Sequence, residues 1–189
     1  MKKYHVCPWQ HGSLLTISAR KLLTNPRRIT EPYISAGMTI MDIGCGMGFF
    51  TIPMSDIVGK QGKVIAVDLQ PEMLEGMKKN AQKVGNRNIT AHVCSIQSLN
   101  VELWNGMIDF ALMFWMLHEV PDAERLIREI YDVLTPTGIL LFAEPVVHVG
   151  REKYKKSLDM IKQSGFTVIA SPKIPICRAA VLQKSSNMA

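Results

Sequence analysis

From Thr39 onward, short apolar runs rich in β-branched residues alternate with stretches whose apolar positions recur every three to four residues. The runs predict strands at about 39–43, 63–67, 89–93, 108–114, 138–144, 166–170 and 177–183. Met73, Met77, Ala81 and Val84 share one helical face, and Gly85 stands where a left-handed C-cap is wanted. A second helix begins near Pro121 and Asp122, buries Leu126, Ile127, Ile130, Val133 and Leu134, and stops before Pro136 and Gly138. A third carries Tyr154, Leu158 and Ile161 on one face and ends at Gly165. Each helix lies between two strands, as parallel crossovers require, so the pattern predicts an α/β fold: a doubly wound, mostly parallel sheet of seven strands closed by a strand pair. Residues 1–36 break the rhythm, mixing aromatic and basic residues with Pro26 and Pro32 around a possible helix from Ser13 to Leu23. They read as a short N-terminal cap over the carboxyl edge of the sheet, with residues 37–189 forming the main domain.

Composition narrows the class without changing this outline. Hydrophobic residues make up 47% of 189 positions and charged residues 20%, enough apolar material for one core and too little charge for a disordered chain. Met1-Lys2-Lys3 runs into Tyr4, His5 and Cys7 rather than an apolar signal core. The most apolar stretch, Met107 to Val120, is too short to span a bilayer and carries Asp109, His118 and Glu119. A cytoplasmic protein with no membrane partner is expected. Cys7, Cys45, Cys94 and Cys177 contain no C-x-x-C pair, so reduced thiols are expected rather than a disulfide framework. His5, Cys7 and His11 fall within seven residues, but their spacing is unlike structural zinc motifs, and no metal is expected. The net charge of +6 is spread along the chain, at Arg27-Arg28, Lys78-Lys79 and Lys155-Lys156, rather than gathered into one stripe.

The first β-α turn carries the chemistry. It reads Met41-Asp42-Ile43-Gly44-Cys45-Gly46-Met47-Gly48-Phe49-Phe50, at the carboxyl end of the first strand, where open α/β sheets bind ligands. Gly44, Gly46 and Gly48 permit a tight turn and let a ligand lie against the backbone. The dinucleotide fingerprint G-x-G-x-x-G does not fit, because its third glycine would fall on Phe49 or Thr51. Asp42 argues the same way, since a carboxylate repels a phosphate and attracts an ammonium or sulfonium. The second strand ends in Asp68, an acid placed to accept hydrogen bonds from a ribose diol. A nucleoside carrying positive charge suits this pair of acids.

The D-x-G-x-G-x-G loop followed by an acid at the second strand tip resembles the class I S-adenosylmethionine-dependent methyltransferases, over roughly residues 37–183. The resemblance implies the Rossmann-like methyltransferase fold and S-adenosylmethionine as cofactor. It places Asp42, Gly44, Cys45, Gly46 and Gly48 at the methionine end, Asp68 at the ribose hydroxyls, and Leu69 and Met73 beside the adenine. After the third strand, where many relatives carry an acid that binds the adenine amino group, this chain has Ser95; adenine recognition would then rest on the Ser95 hydroxyl and the Ile96 backbone. Phe114 and Trp115 either enclose the methyl-donor region or fill the core.

Methyl transfer from a sulfonium already has an excellent leaving group, so an enzyme supplies alignment, a dry site and, for some acceptors, a base. The acceptor is expected over the tips of the fourth and fifth strands. His118 is the candidate general base, since its ordinary pKa lies near neutrality, although it could equally begin a helix or bond to the backbone. Glu144 could take a proton or bind a cationic acceptor, or pair with a lysine. No N-P-P-Y follows the fourth strand, which weighs against exposed amino nitrogens as acceptors. The expected function is methyl transfer to a small molecule. An RNA acceptor, drawn from the basic charge, and a non-catalytic binding module, drawn from Ser95, are the alternatives.

Overall fold

The computed structural model describes residues 24–185. Seven strands form one sheet: β1 (Thr39–Ile43), β2 (Lys63–Asp68), β3 (Ile89–Val93), β4 (Ile108–Phe114), β5 (Leu134–Pro145), β6 (Phe166–Ala170) and β7 (Cys177–Lys184). Their order is β3-β2-β1-β4-β5-β7-β6. The first five are parallel; β7 runs antiparallel to both β5 and β6. This is the doubly wound, mostly parallel sheet expected from the alternation of periods. The chain reverses direction across the sheet between β1 and β4, the switch point where such folds open a ligand crevice.

Central parallel strands are covered by helices on both faces, which is why β1, β2 and β4 read as continuous apolar runs. Alternate residues still separate. Met41, Ile43, Ile65, Val67, Ala111 and Met113 enter one core layer, while Ile40, Val64, Phe110 and Leu112 enter the opposite one.

Five helices flank the sheet: α1 (Pro26–Thr30), α2 (Thr51–Val58), α3 (Pro71–Lys83), α4 (Ala123–Val133) and α5 (Arg151–Gln163). The last three are those legible from helical periodicity. Helix α3 begins with Pro71 at its first turn and is followed by Gly85 at φ +80°. Helix α4 starts where Asp122 accepts the Arg125 N–H at 2.9 Å. Helix α2 went unread because Thr51, Met54, Ser55 and Val58 are all buried, so its eight residues show little amphipathic contrast.

Two boundaries shift. Leu134, expected as the last apolar residue of a helix, opens β5 instead, and β5 runs four residues earlier than expected, through Pro136. The strand tolerates this with a register shift against β4 between Ile108 and Phe110. Gly138 is required there, because a Cβ at that position would lie 2.8 Å from the Ile108 carbonyl oxygen. Within 24–36, Ile29, Tyr33 and Ile34 pack into the layer containing Phe49, Phe50 and Met54. The suggested helix at 13–23 and the residues His5, Cys7 and His11 lie outside the described residues.

No helix among the described residues is long and apolar enough to cross a membrane.

Candidate active site

Above the carboxyl ends of the parallel strands lies a cleft of about 1130 Å³. It is bounded on one side by the glycine loop and the tips of β2 and β3, and on the other by the tips of β4 and β5 and the approach to β7. Asp42, Gly44, Cys45, Gly46, Asp68, Leu69, Met73, Ser95, Ile96 and Phe114 all line it, as do His118 and Pro145. Most of the residues singled out from sequence are therefore gathered around one hollow.

The loop is held from below. The Gly44 and Cys45 N–H groups donate to the Val67 carbonyl at 2.9 and 3.0 Å, tying the turn to the second strand. Asp42, almost fully buried, accepts the Thr51 hydroxyl at 2.6 Å, joining β1 to the first turn of α2. Asp68 accepts the Gly46 N–H at 2.8 Å through Oδ2 and the Gln70 N–H at 2.9 Å through Oδ1. Burial pushes its carboxyl above the usual range, opposed by the N–H groups of Gln70, Gly46 and Leu69. A carboxylate offers about four lone-pair sites, so these N–H groups leave acceptor capacity for a further donor.

The glycines divide their labour. Gly46 adopts φ +54° with nothing within 4 Å of the place a Cβ would occupy, an open cradle beside Asp68. Gly44 faces Met116, whose Cβ would stand 3.2 Å from an added Cβ. Gly48 is absent from the cleft wall: its added Cβ would meet Met77 Cγ at 2.8 Å, so it lets α3 close on the loop. Cys45 and Cys94 flank Asp68. Burial, reinforced by nearby carboxylates, pushes the Cys45 thiol well up and the Cys94 thiol to about 11, keeping both protonated.

Ser95 behaves differently from the expectation of an adenine-binding hydroxyl. Its Oγ donates to the Ser98 carbonyl at 3.1 Å and accepts the Ser98 N–H at 3.0 Å, closing a tight turn. The hydroxyl proton is thus spent within the loop. A residue that sequence reasoning missed secures that loop: Glu129 on α4 accepts the Leu99 N–H through Oε2 and the Ser98 hydroxyl through Oε1, both at 2.7 Å. Only the packing of α4 beside the β3 tip brings it there, over about thirty residues of chain, and no local signal announces it.

On the far side, His118 lies in a 3-10 turn, Leu117–Glu119, directly after β4. Its backbone N–H donates to Glu144 Oε1 at 3.0 Å, and its Nδ1 lies 2.6 Å from Glu144 Oε2. Glu144 therefore pairs with this histidine and not with a lysine. A carboxylate oxygen facing Nδ1 favours the tautomer with its proton there, which in the neutral ring leaves the lone pair on Nε2. Glu144 is 1% exposed at the end of β5. The hydrogen bond to Glu144 raises the His118 pKa against the opposing effect of burial, with the charges of Glu144 and Glu119 adding to the rise. Glu119 Oε1 stands 4.0 Å from Nε2.

Charge around the cleft is one-sided. Asp42, Asp68, Glu119, Asp122 and Glu129 line it, while no lysine or arginine does so among the described residues, although the chain carries a net charge of +6. Such a wall suits a cationic ligand and opposes a polyanion. The open face at Gly46, the residual acceptor capacity of Asp68 and the carboxylate-lined hollow fit the ribose and sulfonium of S-adenosylmethionine.

Comparison with known proteins agrees. Residues 34–183 match the family model described as a methyltransferase domain. The chain is 31% identical over 122 residues to the aklanonic acid methyltransferase DauC of Streptomyces sp. (strain C5), covering 65% of this chain and 54% of that protein. It is also 31% identical over 124 residues to the demethylmenaquinone methyltransferase of Lactococcus lactis subsp. lactis (strain IL1403), covering 66% of this chain and 48% of the relative. The chain thus spans about half the length of these curated relatives. Among solved structures, a SAM-dependent methyltransferase from Aquifex aeolicus superposes with a TM-score of 0.85 at 21% identity, over 95% of this chain and all of that one. The loop chemistry, the strand order and the family match converge: this chain belongs to the methyltransferase domain family, of the S-adenosylmethionine-dependent class.

Proposed function

We propose that the protein transfers a methyl group to a small, uncharged molecule whose acidic proton is removed by His118. The observation that carries this reading is that His118 lines the same hollow as the glycine loop and Asp68 while Glu144, buried behind it and outside the cleft wall, holds its ring.

S-adenosylmethionine, when bound, supplies an electrophilic methyl carbon on a good leaving group. The chain's own residues do the rest. Asp68 accepts the ribose hydroxyls, the open backbone at Gly46 admits the nucleoside, and Leu69 and Met73 cover the base. Asp42 braces the loop through Thr51 and adds negative potential for the methionine end. Ile96 lines the cleft in the turn that Ser95 and Glu129 hold, and its backbone would meet the adenine there. His118 Nε2 would take the acceptor's proton and Glu144 would stabilise the resulting imidazolium, while the bound cofactor would give up its methyl carbon as the carbon–sulfur bond breaks and leave as the neutral thioether. The relatives named for aklanonic acid and demethylmenaquinone, both small organic molecules, support an acceptor of that size. The carboxylates around the cleft weigh against RNA.

Calorimetric titration with S-adenosylhomocysteine should show saturable binding in the micromolar range, about −8 kcal/mol. A labelled-methyl screen over metabolite extracts should then yield a product that is lost with Asp68→Ala. Absence of cofactor-product binding would reject the reading; binding without turnover on any extract would favour a non-catalytic module.

A further inference from the structure

Three non-glycine residues among those described have positive φ: Asn100 at 54°, Trp115 at 63° and Ile176 at 57°. Trp115 and Ile176 line the same cleft. A left-handed backbone beneath a bulky or β-branched side chain is unfavourable and persists only where its surroundings over-determine it, which happens most often at binding sites.

At Trp115 the restraints are explicit. Its N–H donates to the Ala143 carbonyl at 2.8 Å, and its indole Nε1–H donates to Cys177 Sγ at 3.2 Å. Its ring stands 5.4 Å from that of Phe114. The Ile176 carbonyl in turn accepts the Val146 N–H at 2.9 Å. The tips of β4 and β5 and the start of β7 are thereby fastened around one indole. The backbone turns sharply as it leaves the buried strand, and Trp115 lines the cleft three residues before His118.

Because Nε1–H is committed to Cys177, the ring offers the cleft an apolar surface and not a donor. Val147, 79% exposed, and Ile176, 42% exposed, extend that surface at the rim. Glu119 and Asp122 line the same cleft and disfavour an anion. A rigid aromatic side chain with two rotatable bonds gives a large contact area at low entropic cost.

We propose that Trp115 is the specificity-determining residue of the acceptor site, seating a flat, uncharged, apolar ring against Ile176 and Val147 with its ionisable proton near His118. The inference rests on the methyltransferase reading above and names the class of acceptor for it.

The test uses the full chain saturated with S-adenosylhomocysteine, titrated in a calorimeter with 2-naphthol, with cyclohexanol and with 2-naphthoate. Binding of 2-naphthol in preference to the other two is expected. Trp115→Asn, whose side chain tolerates the left-handed backbone, should weaken 2-naphthol by about tenfold or more, while Trp115→Phe stays within about threefold of the parent. Both variants should bind S-adenosylhomocysteine as the parent does. The proposal is overturned if 2-naphthol fails to bind the parent, if Trp115→Asn binds it unchanged, if 2-naphthoate binds as tightly, or if cofactor product and naphthol weaken together. Failure of the parent to bind S-adenosylhomocysteine instead overturns the underlying methyltransferase reading.

Discussion

His118 and Glu144, 26 positions apart, meet twice: the carboxylate takes the histidine's backbone N–H through one oxygen and faces its Nδ1 at 2.6 Å through the other. The first bond ties the turn after β4 to the end of β5, and the second fixes the ring's orientation. A single buried side chain thereby holds both the backbone and the ring of His118.

The sign of the pH dependence follows. Since the pair raises the histidine's pKa above its ordinary 6.5, the free base accumulates only as pH rises through that higher value, and kcat/KM should climb over the same interval. Glu144→Gln should move this limb toward lower pH and reduce the plateau, as read from a pH–rate profile. The pair's contribution to stability has the opposite course, being fully present below 6.5 and lost as pH rises through the raised value. The melting-temperature gap between parent and Glu144→Gln should accordingly narrow toward alkaline pH.

Asp68→Ala should cost cofactor affinity far more than stability. Two loop N–H groups lose their acceptor, a penalty of about 1–3 kcal/mol each if they stay dry, but both border an open cleft where water can replace the carboxylate. A drop of at least about tenfold in S-adenosylhomocysteine affinity with a cooperative melt retained is the expected pair of results.

Gly46→Ala and Gly48→Ala should separate binding from folding. Both sit at positive φ, which costs on the order of 1–2 kcal/mol for alanine. Gly48→Ala additionally forces Met77 aside, so it should show the lower melting temperature, by about 1–3 kcal/mol more destabilisation. Gly46→Ala instead fills the open cradle and should show the greater loss of cofactor binding by calorimetry.

Glu129→Ala removes the acceptor from the Ser98 hydroxyl and the Leu99 N–H. The 95–99 turn should loosen, with faster amide exchange at Leu99 than in the parent and weaker S-adenosylhomocysteine binding. Unchanged exchange at that amide would show that the turn stands without Glu129.

Much was legible along the chain because it depends on neighbours in sequence. Strand and helix periods, the glycine turn, the acid at the β2 tip and the late strand pair are local patterns, and each has its counterpart in the fold. Where a residue answers to more than its neighbours, local reading fell short: α2 is buried too evenly to show a face, and Leu134 takes its conformation from β4 rather than from the helix before it. Ser95 differs: the hydroxyl expected at the adenine closes instead on Ser98, three residues on, a local turn that serine favours and that the assignment to adenine passed over.

The sequence by itself determined which groups are available: three glycines, two acids, a histidine and a glutamate at strand ends. Tertiary structure alone decided that His118 finds Glu144, that Glu129 crosses from α4 to hold the 95–99 turn, and that Trp115 is pinned to Cys177 in a left-handed conformation. Pairings of this kind depend on distances between strand tips, which packing of the sheet sets and no local propensity encodes.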